Sequence, residues 1–131
     1  MFNFFKKNCD VHIDQMNKCL KKAFELYCRA DSYLSGSGFG DDITKNLSAQ
    51  GAIGKGQKKI REAYRNFQDG VKSISNESDK KGLKAVLFRY TGSVSIQAKA
   101  IINNNVIIDT WQKDMEFLES ECKKQIDFGD S

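Results

Sequence analysis

The sequence predicts an all-α protein: an antiparallel helical bundle of about four long helices, with a glycine-rich break between the first two. Three observations carry this expectation. Apolar residues recur at threes and fours along most of the 131 residues, the spacing that lines one face of an α-helix. No proline interrupts them. Six of the ten glycines are gathered between Gly36 and Gly56, where the backbone bends most easily.

The first helix is predicted from about Cys9 to Leu34. Ile13, Met16, Leu20, Ala23, Tyr27, Ala30 and Leu34 form its apolar stripe, Asn8 or Asp10 can cap its start, and Ser35-Gly36-Ser37-Gly38 ends it. A second periodic run comprises Ile53, Ile60, Tyr64, Phe67, Val71 and Ile74. Ile43 and Leu47 share a face with each other, but at about 100° per residue they fall more than about 90° from the stripe that follows. With Gly51, Gly54 and Gly56 between the two sets, the sequence predicts a short helix from about Asp42, a break near Gly51 to Gly56, and a longer helix to about Ser75. The glycine-rich connection then covers about 35–56.

Ser75-Asn76-Glu77-Ser78-Asp79 is a polar connection, with Ser78 or Asp79 as the next cap. Leu83, Leu87, Tyr90, Val94, Ala98, Ile101 and Ile108 continue one stripe, followed by Trp111, Met115, Leu118, Cys122 and Ile126. The run Asn103-Asn104-Asn105 either lies within a single helix of about 45 residues or divides this length into two helices, and the second is the preferred reading because asparagine favours turns. That gives major helices of similar length, which pack well as a bundle. A hairpin over 94–108 is the weaker reading, since a lone two-stranded ribbon has no sheet to join.

A chain of this length makes one domain with its own core. Apolar residues are 40% and charged residues 29% of the chain, ordinary for a globular protein. No apolar run approaches the roughly 20 residues of a membrane span. The opening Met1-Phe2-Asn3-Phe4-Phe5-Lys6-Lys7 puts apolar residues before charges, the wrong order for a secretory signal, so a cytoplasmic location is expected. Its phenylalanines are expected to plug one end of the bundle. Cys9, Cys19, Cys28 and Cys122 have no zinc-type spacing, and His12 is the only histidine. Buried reduced thiols are therefore expected at Cys9 and Cys122, and no cofactor or metal.

Two segments imitate phosphate-binding motifs and fail. Ala49-Gln50-Gly51-Ala52-Ile53-Gly54-Lys55-Gly56 lacks the first glycine, the final Ser/Thr and a preceding strand, and Gly36-Ser37-Gly38-Phe39-Gly40 lacks the third glycine spacing. Ser48, Ala52 and Gly56 are small residues four apart, a strip that lets another backbone approach, inside the molecule or from a partner. Residues 45–99 carry twelve basic side chains against four acidic, whereas 100–131 carry three against seven. The densest basic cluster is Lys55, Lys58, Lys59, Arg61 and Arg65, and Lys58, Arg61 and Arg65 share one helical flank. That flank either meets an acidic or phosphate-bearing partner, or is a solvated face partly neutralised by Glu116, Glu119 and Glu121.

These features point to a non-enzymatic protein-binding module. Gly38, Phe39, Gly54, Lys55, Lys58, Lys59, Arg61 and Arg65 are its expected contact residues, and a protein with an acidic surface is its expected partner. Most concretely, such a module is an inhibitor or bacterial immunity-type protein that occludes a partner's active surface. A nucleic-acid-associated protein that holds phosphates on the basic flank is the first alternative. A self-assembling or secretion-related helical protein is the second.

Overall fold

The computed structural model describes residues 2–35 and 42–127, with side chains described over 11–35 and 42–126. Gly38 and Phe39, expected in the contact surface, lie outside the described residues. Four helices account for the described chain: α1 (Phe2–Ser35), α2 (Asp42–Lys72), α3 (Glu77–Ile101) and α4 (Asn105–Asp127). None is long and apolar enough to cross a membrane.

The helices form a bundle whose cross-section runs α1, α2, α4, α3. Each hairpin is antiparallel: Gly56 lies beside Tyr27 and Gly70 beside His12, while Trp111 reaches back to Ser95 and Glu119 to Thr91. Between hairpins the neighbours run parallel. On α2 and α4, Gln57 meets Asp114 and Gln68 meets Gln125. The short segment 73–76 therefore connects helices that face each other diagonally, α2 and α3.

α1 and α2 make the most extensive contact in the bundle. Small residues explain it: Ala23 and Ala30 on α1 meet a stripe on α2 that includes Ala49, Ala52, Gly56 and Ala63, all buried. The strip of small residues thus packs inside this molecule. A Cβ added at Gly56 would lie 2.6 Å from Tyr27 Cε1, so this glycine is required for the close approach.

The expected break near Gly51 to Gly56 does not occur, since α2 runs unbroken from Asp42 through all three glycines. Glycine weakens a helix interior by only about 1 kcal/mol against alanine. Packing outweighs that: Gly56 lets α1 and α2 close on each other, and Ile60, Phe67 and Val71, buried further along the same helix at about 1.5–3 kcal/mol for each large side chain, hold α2 to the core. Of the connection expected over about 35–56, everything from Asp42 onward is therefore helical. The phase mismatch of Ile43 and Leu47 is real, but its cause is exposure: the two face outward on the same helix.

The other boundaries follow local chemistry. α1 already begins at Phe2, so neither Asn8 nor Asp10 is its cap. Asn76 caps α3 instead of Ser78 or Asp79, its Oδ1 accepting from the Ser78 N–H at 2.8 Å. The asparagine run does separate α3 from α4. Ile102 is extended, and Asn104 Oδ1 accepts from the N–H groups of Val106 (2.9 Å) and Ile107 (3.2 Å). Buried Asp31 of α1 accepts from the N–H groups of Asn103 (3.2 Å) and Asn104 (2.8 Å), which ties this corner to the far end of α1. No strand occurs among the described residues, so the hairpin reading of 94–108 falls.

The core runs the length of the bundle. Met16, Leu20, Tyr27, Phe67, Leu87, Trp111 and Leu118 are fully buried. Trp111 meets Phe24 and Tyr27 edge to face, with centroids 6.2 and 5.0 Å apart, and its Nε1–H donates to Ser95 Oγ at 3.0 Å. Ile101, expected in the α3 stripe, is exposed, and Ile102 is buried in its place because the helix ends between them.

Candidate protein-binding face

The outward face of α2 carries a row at threes and fours: Ile43, Leu47, Gly51, Gly54, Lys58, Arg61 and Arg65, every one exposed. It is about 33 Å long at 1.5 Å per residue. Its first half presents large aliphatic groups to solvent, with Ile43 72% and Leu47 63% exposed. Its second half is cationic. The two glycines between them have open space where a Cβ would stand. Neither is held by packing, and the row is low and smooth at its middle.

Beside this row, α2 and α4 leave a furrow. One stretch, about 280 Å3, lies between Ile53 and Gly54 of α2 and Val106 and Ile107 of α4. A second, about 360 Å3, lies between Ile60 and Arg61 of α2 and Phe117 of α4. Gln57 lines both, which joins them end to end. Val106 and Phe117 are 69% and 65% exposed, so the α4 rim is apolar.

A polar cluster crosses the furrow at its midpoint. The Tyr27 hydroxyl donates to Asp114 Oδ2, and Gln57 Nε2 donates to the same oxygen at 3.1 Å. Three helices meet in this cluster, and it holds Gln57 and Asp114 at fixed positions on the furrow wall. Burial pushes the Tyr27 hydroxyl well above its ordinary range, and the hydrogen bond to Asp114 adds to the shift. The phenol therefore stays a neutral donor.

The expected contact residues separate into three groups. Lys58, Arg61 and Arg65 stand together on the outward row, and Gly54, on the same row, also lines the furrow. Lys59 is half-buried and directed to Glu62 Oε2 at 3.1 Å on its own helix. Lys55 turns the other way, into a cleft shared with Arg29 of α1. Among the described residues, no carboxylate lies within ion-pair distance of Lys58, Arg61 or Arg65. Of the α4 carboxylates expected to neutralise them, Glu121 pairs with Lys124 at 3.6 Å and Glu119 accepts from Thr91 Oγ1 at 2.5 Å, while exposed Glu116 does not come within ion-pair distance of these cations.

Cys19, Cys28 and Cys122 are unbonded thiols, so Cys122 takes no part in a disulfide. Burial raises the pKa of all three, most strongly at Cys122, where Glu119 and Glu121 add to it. Thiolate chemistry at these positions is correspondingly suppressed.

Sequence reading missed the apolar half of the face. Its signal was present, because two large aliphatics four apart and out of phase with the core stripe mark an exposed patch as well as a break. Val106 and Phe117, three helical turns apart and off the Trp111–Cys122 stripe, carried the same signal. Comparison with protein-family models, curated proteins and solved structures finds no match to this chain.

Proposed function

We propose that this bundle is a protein-binding module whose docking surface is the outward row of α2 together with the α2–α4 furrow. One observation carries the reading. Exposed Ile43 and Leu47 continue directly into Lys58, Arg61 and Arg65, three cations without an ion-pair partner among the described residues. Exposed aliphatic side chains gain when a partner covers them, and arginine recurs at the energetic centres of protein interfaces. The matching partner presents an apolar patch followed by carboxylates. Electrostatic attraction speeds its approach and sets the register, while the apolar end and the furrow supply burial. A module of this kind becomes an inhibitor when the acidic surface it covers is the partner's working site.

The apolar end favours a protein over a nucleic acid. Phosphate backbones reward the cations alone and leave Ile43 and Leu47 in water.

Site-specific cross-linking tests the reading. A photoreactive residue replacing Leu47 or Arg65, expressed in the native host, is expected to trap one and the same protein. The same residue replacing Ala85, exposed on α3, is expected to trap none. Equal trapping from all three positions, or different adducts from 47 and 65, would contradict the proposal.

A further inference from the structure

On the opposite flank of α2 from the furrow, α1 and α2 bracket a separate cleft of about 270 Å3. Its cationic walls are Arg29 of α1 and Lys55 of α2. Tyr33 and Ser48 line it as well, and buried Leu26 and Ala52 form an apolar base. The grouping follows from the hairpin. Leu26, Arg29 and Tyr33 stand one turn apart along one edge of α1, as Ser48, Ala52 and Lys55 do along α2. Antiparallel packing brings the two edges together at the same height.

Three features distinguish this cleft from an ordinary solvated edge. First, neither cation has a carboxylate within ion-pair distance among the described residues. Glu25, one turn before Arg29, is taken by Lys22 at 3.6 Å, and Glu62 is taken by Lys59 at 3.1 Å. Second, the two cations come from different helices and converge on one volume. Like charges held in this way repel until an anion sits between them. Third, Gly51 lines the cleft, although a Cβ there would meet nothing within 4 Å. The glycine keeps the rim of the cleft low, and a larger side chain there would stand at its mouth.

We infer that this cleft is an anion-binding site for a phosphate monoester whose attached group is flat or apolar. The dianion matches the two cations in charge. The Arg29 guanidinium offers a planar pair of donors, and the Lys55 ammonium a compact third. Ser48 and Tyr33 bring hydroxyl donors to the same volume. The organic part of the ester lies over the Tyr33 ring and the Leu26–Ala52 base, which a bare anion leaves uncovered.

The test uses the full chain and three soluble probes: phenyl phosphate, inorganic phosphate and benzyl alcohol, followed by amide chemical shifts in NMR. Phenyl phosphate is expected to shift the amides around Ser48, Gly51 and Lys55 saturably and to bind more tightly than either other probe. The R29Q/K55Q double variant is expected to bind it at least about tenfold more weakly, from the loss of charge-assisted hydrogen bonds. G51L fills the cleft and is expected to lose binding while it melts no lower than the parent chain, since its site is exposed and leucine is the better helix former. Binding that survives either R29Q/K55Q or G51L would overturn the inference. So would shifts centred on Lys58, Arg61 and Arg65, or phenyl phosphate and benzyl alcohol binding alike.

Discussion

Alanine at Gly56 and alanine at Gly54 add the same methyl group to the same helix, two residues apart, and their expected effects have opposite signs. At position 56 the new Cβ would lie 2.6 Å from Tyr27 Cε1 and 2.8 Å from Cδ1. An unstrained carbon–carbon contact is about 3.5–4.0 Å. The Tyr27 ring cannot retreat, because it is fully buried, sits edge to face on Trp111 and is tethered through its hydroxyl to Asp114. Overpacking of this kind costs about 1–3 kcal/mol, and improved helix propensity returns about 1 kcal/mol. G56A is therefore expected to be up to about 2 kcal/mol less stable than the parent. At position 54 nothing lies within 4 Å of the new Cβ, so only propensity acts and G54A gains about 1 kcal/mol. In a chain of this size the melting temperature of G54A should exceed that of G56A by up to roughly 10 °C. Urea and thermal unfolding followed by far-UV circular dichroism measure both. If G56A stabilises as much as G54A, α1 and α2 do not approach closely at this point. A destabilised G54A would instead mean that α2 is interrupted there.

Three further outcomes follow from individual contacts. D31A removes the buried acceptor of two N–H groups at the α3–α4 corner and should destabilise by about 2 kcal/mol, with D31N losing less because one oxygen remains; equal stability of D31A and the parent in urea would refute this role. Burial raises the Tyr27 pKa above its ordinary 10.0, so the folded state favours the neutral phenol, and this contribution is whole below about pH 10 and lost as the pH rises further. Y27F should flatten the alkaline fall in unfolding free energy, and an unchanged slope above pH 10 would refute the assignment. Cys122, buried with its thiol pKa raised, should resist iodoacetamide in the native protein far longer than half-buried Cys28, as peptide mapping by mass spectrometry would show. Alkylation of Cys122 at its unfolded rate would contradict that packing.

Helix number and the core stripes were legible because they depend on spacing alone. Trp111, Met115, Leu118, Cys122 and Ile126 are all buried as their phase predicts, and the asparagine run ends one helix and starts the next through its own side chains. What the sequence concealed was set by partners distant in the chain. Gly51, Gly54 and Gly56 favour a break locally, but the small residues around them are held straight by α1. Asp31 caps a corner more than seventy residues away, and nothing in its surroundings along the chain signals this. The order of helices around the bundle has no local signature either. The candidate face was half legible. Spacing located the cations, but not that Lys59 is drawn to Glu62, nor that Lys55 turns toward Arg29. The aliphatic half was visible only as a phase error, and exposure gave that error its meaning.

In the proposed function, the outward row of α2 is where a partner docks. A matched pair of charge reversals decides the matter: K58E/R61E/R65E on that row against K81E/K84E/R89E on α3, which change net charge by the same amount. Capture of the partner that cross-links at 47 and 65 should be abolished in the first variant and retained in the second, with helical content unchanged in both. Retained capture in the first variant would contradict the claim, and so would equal loss in both, because bulk charge rather than the row on α2 would then govern binding.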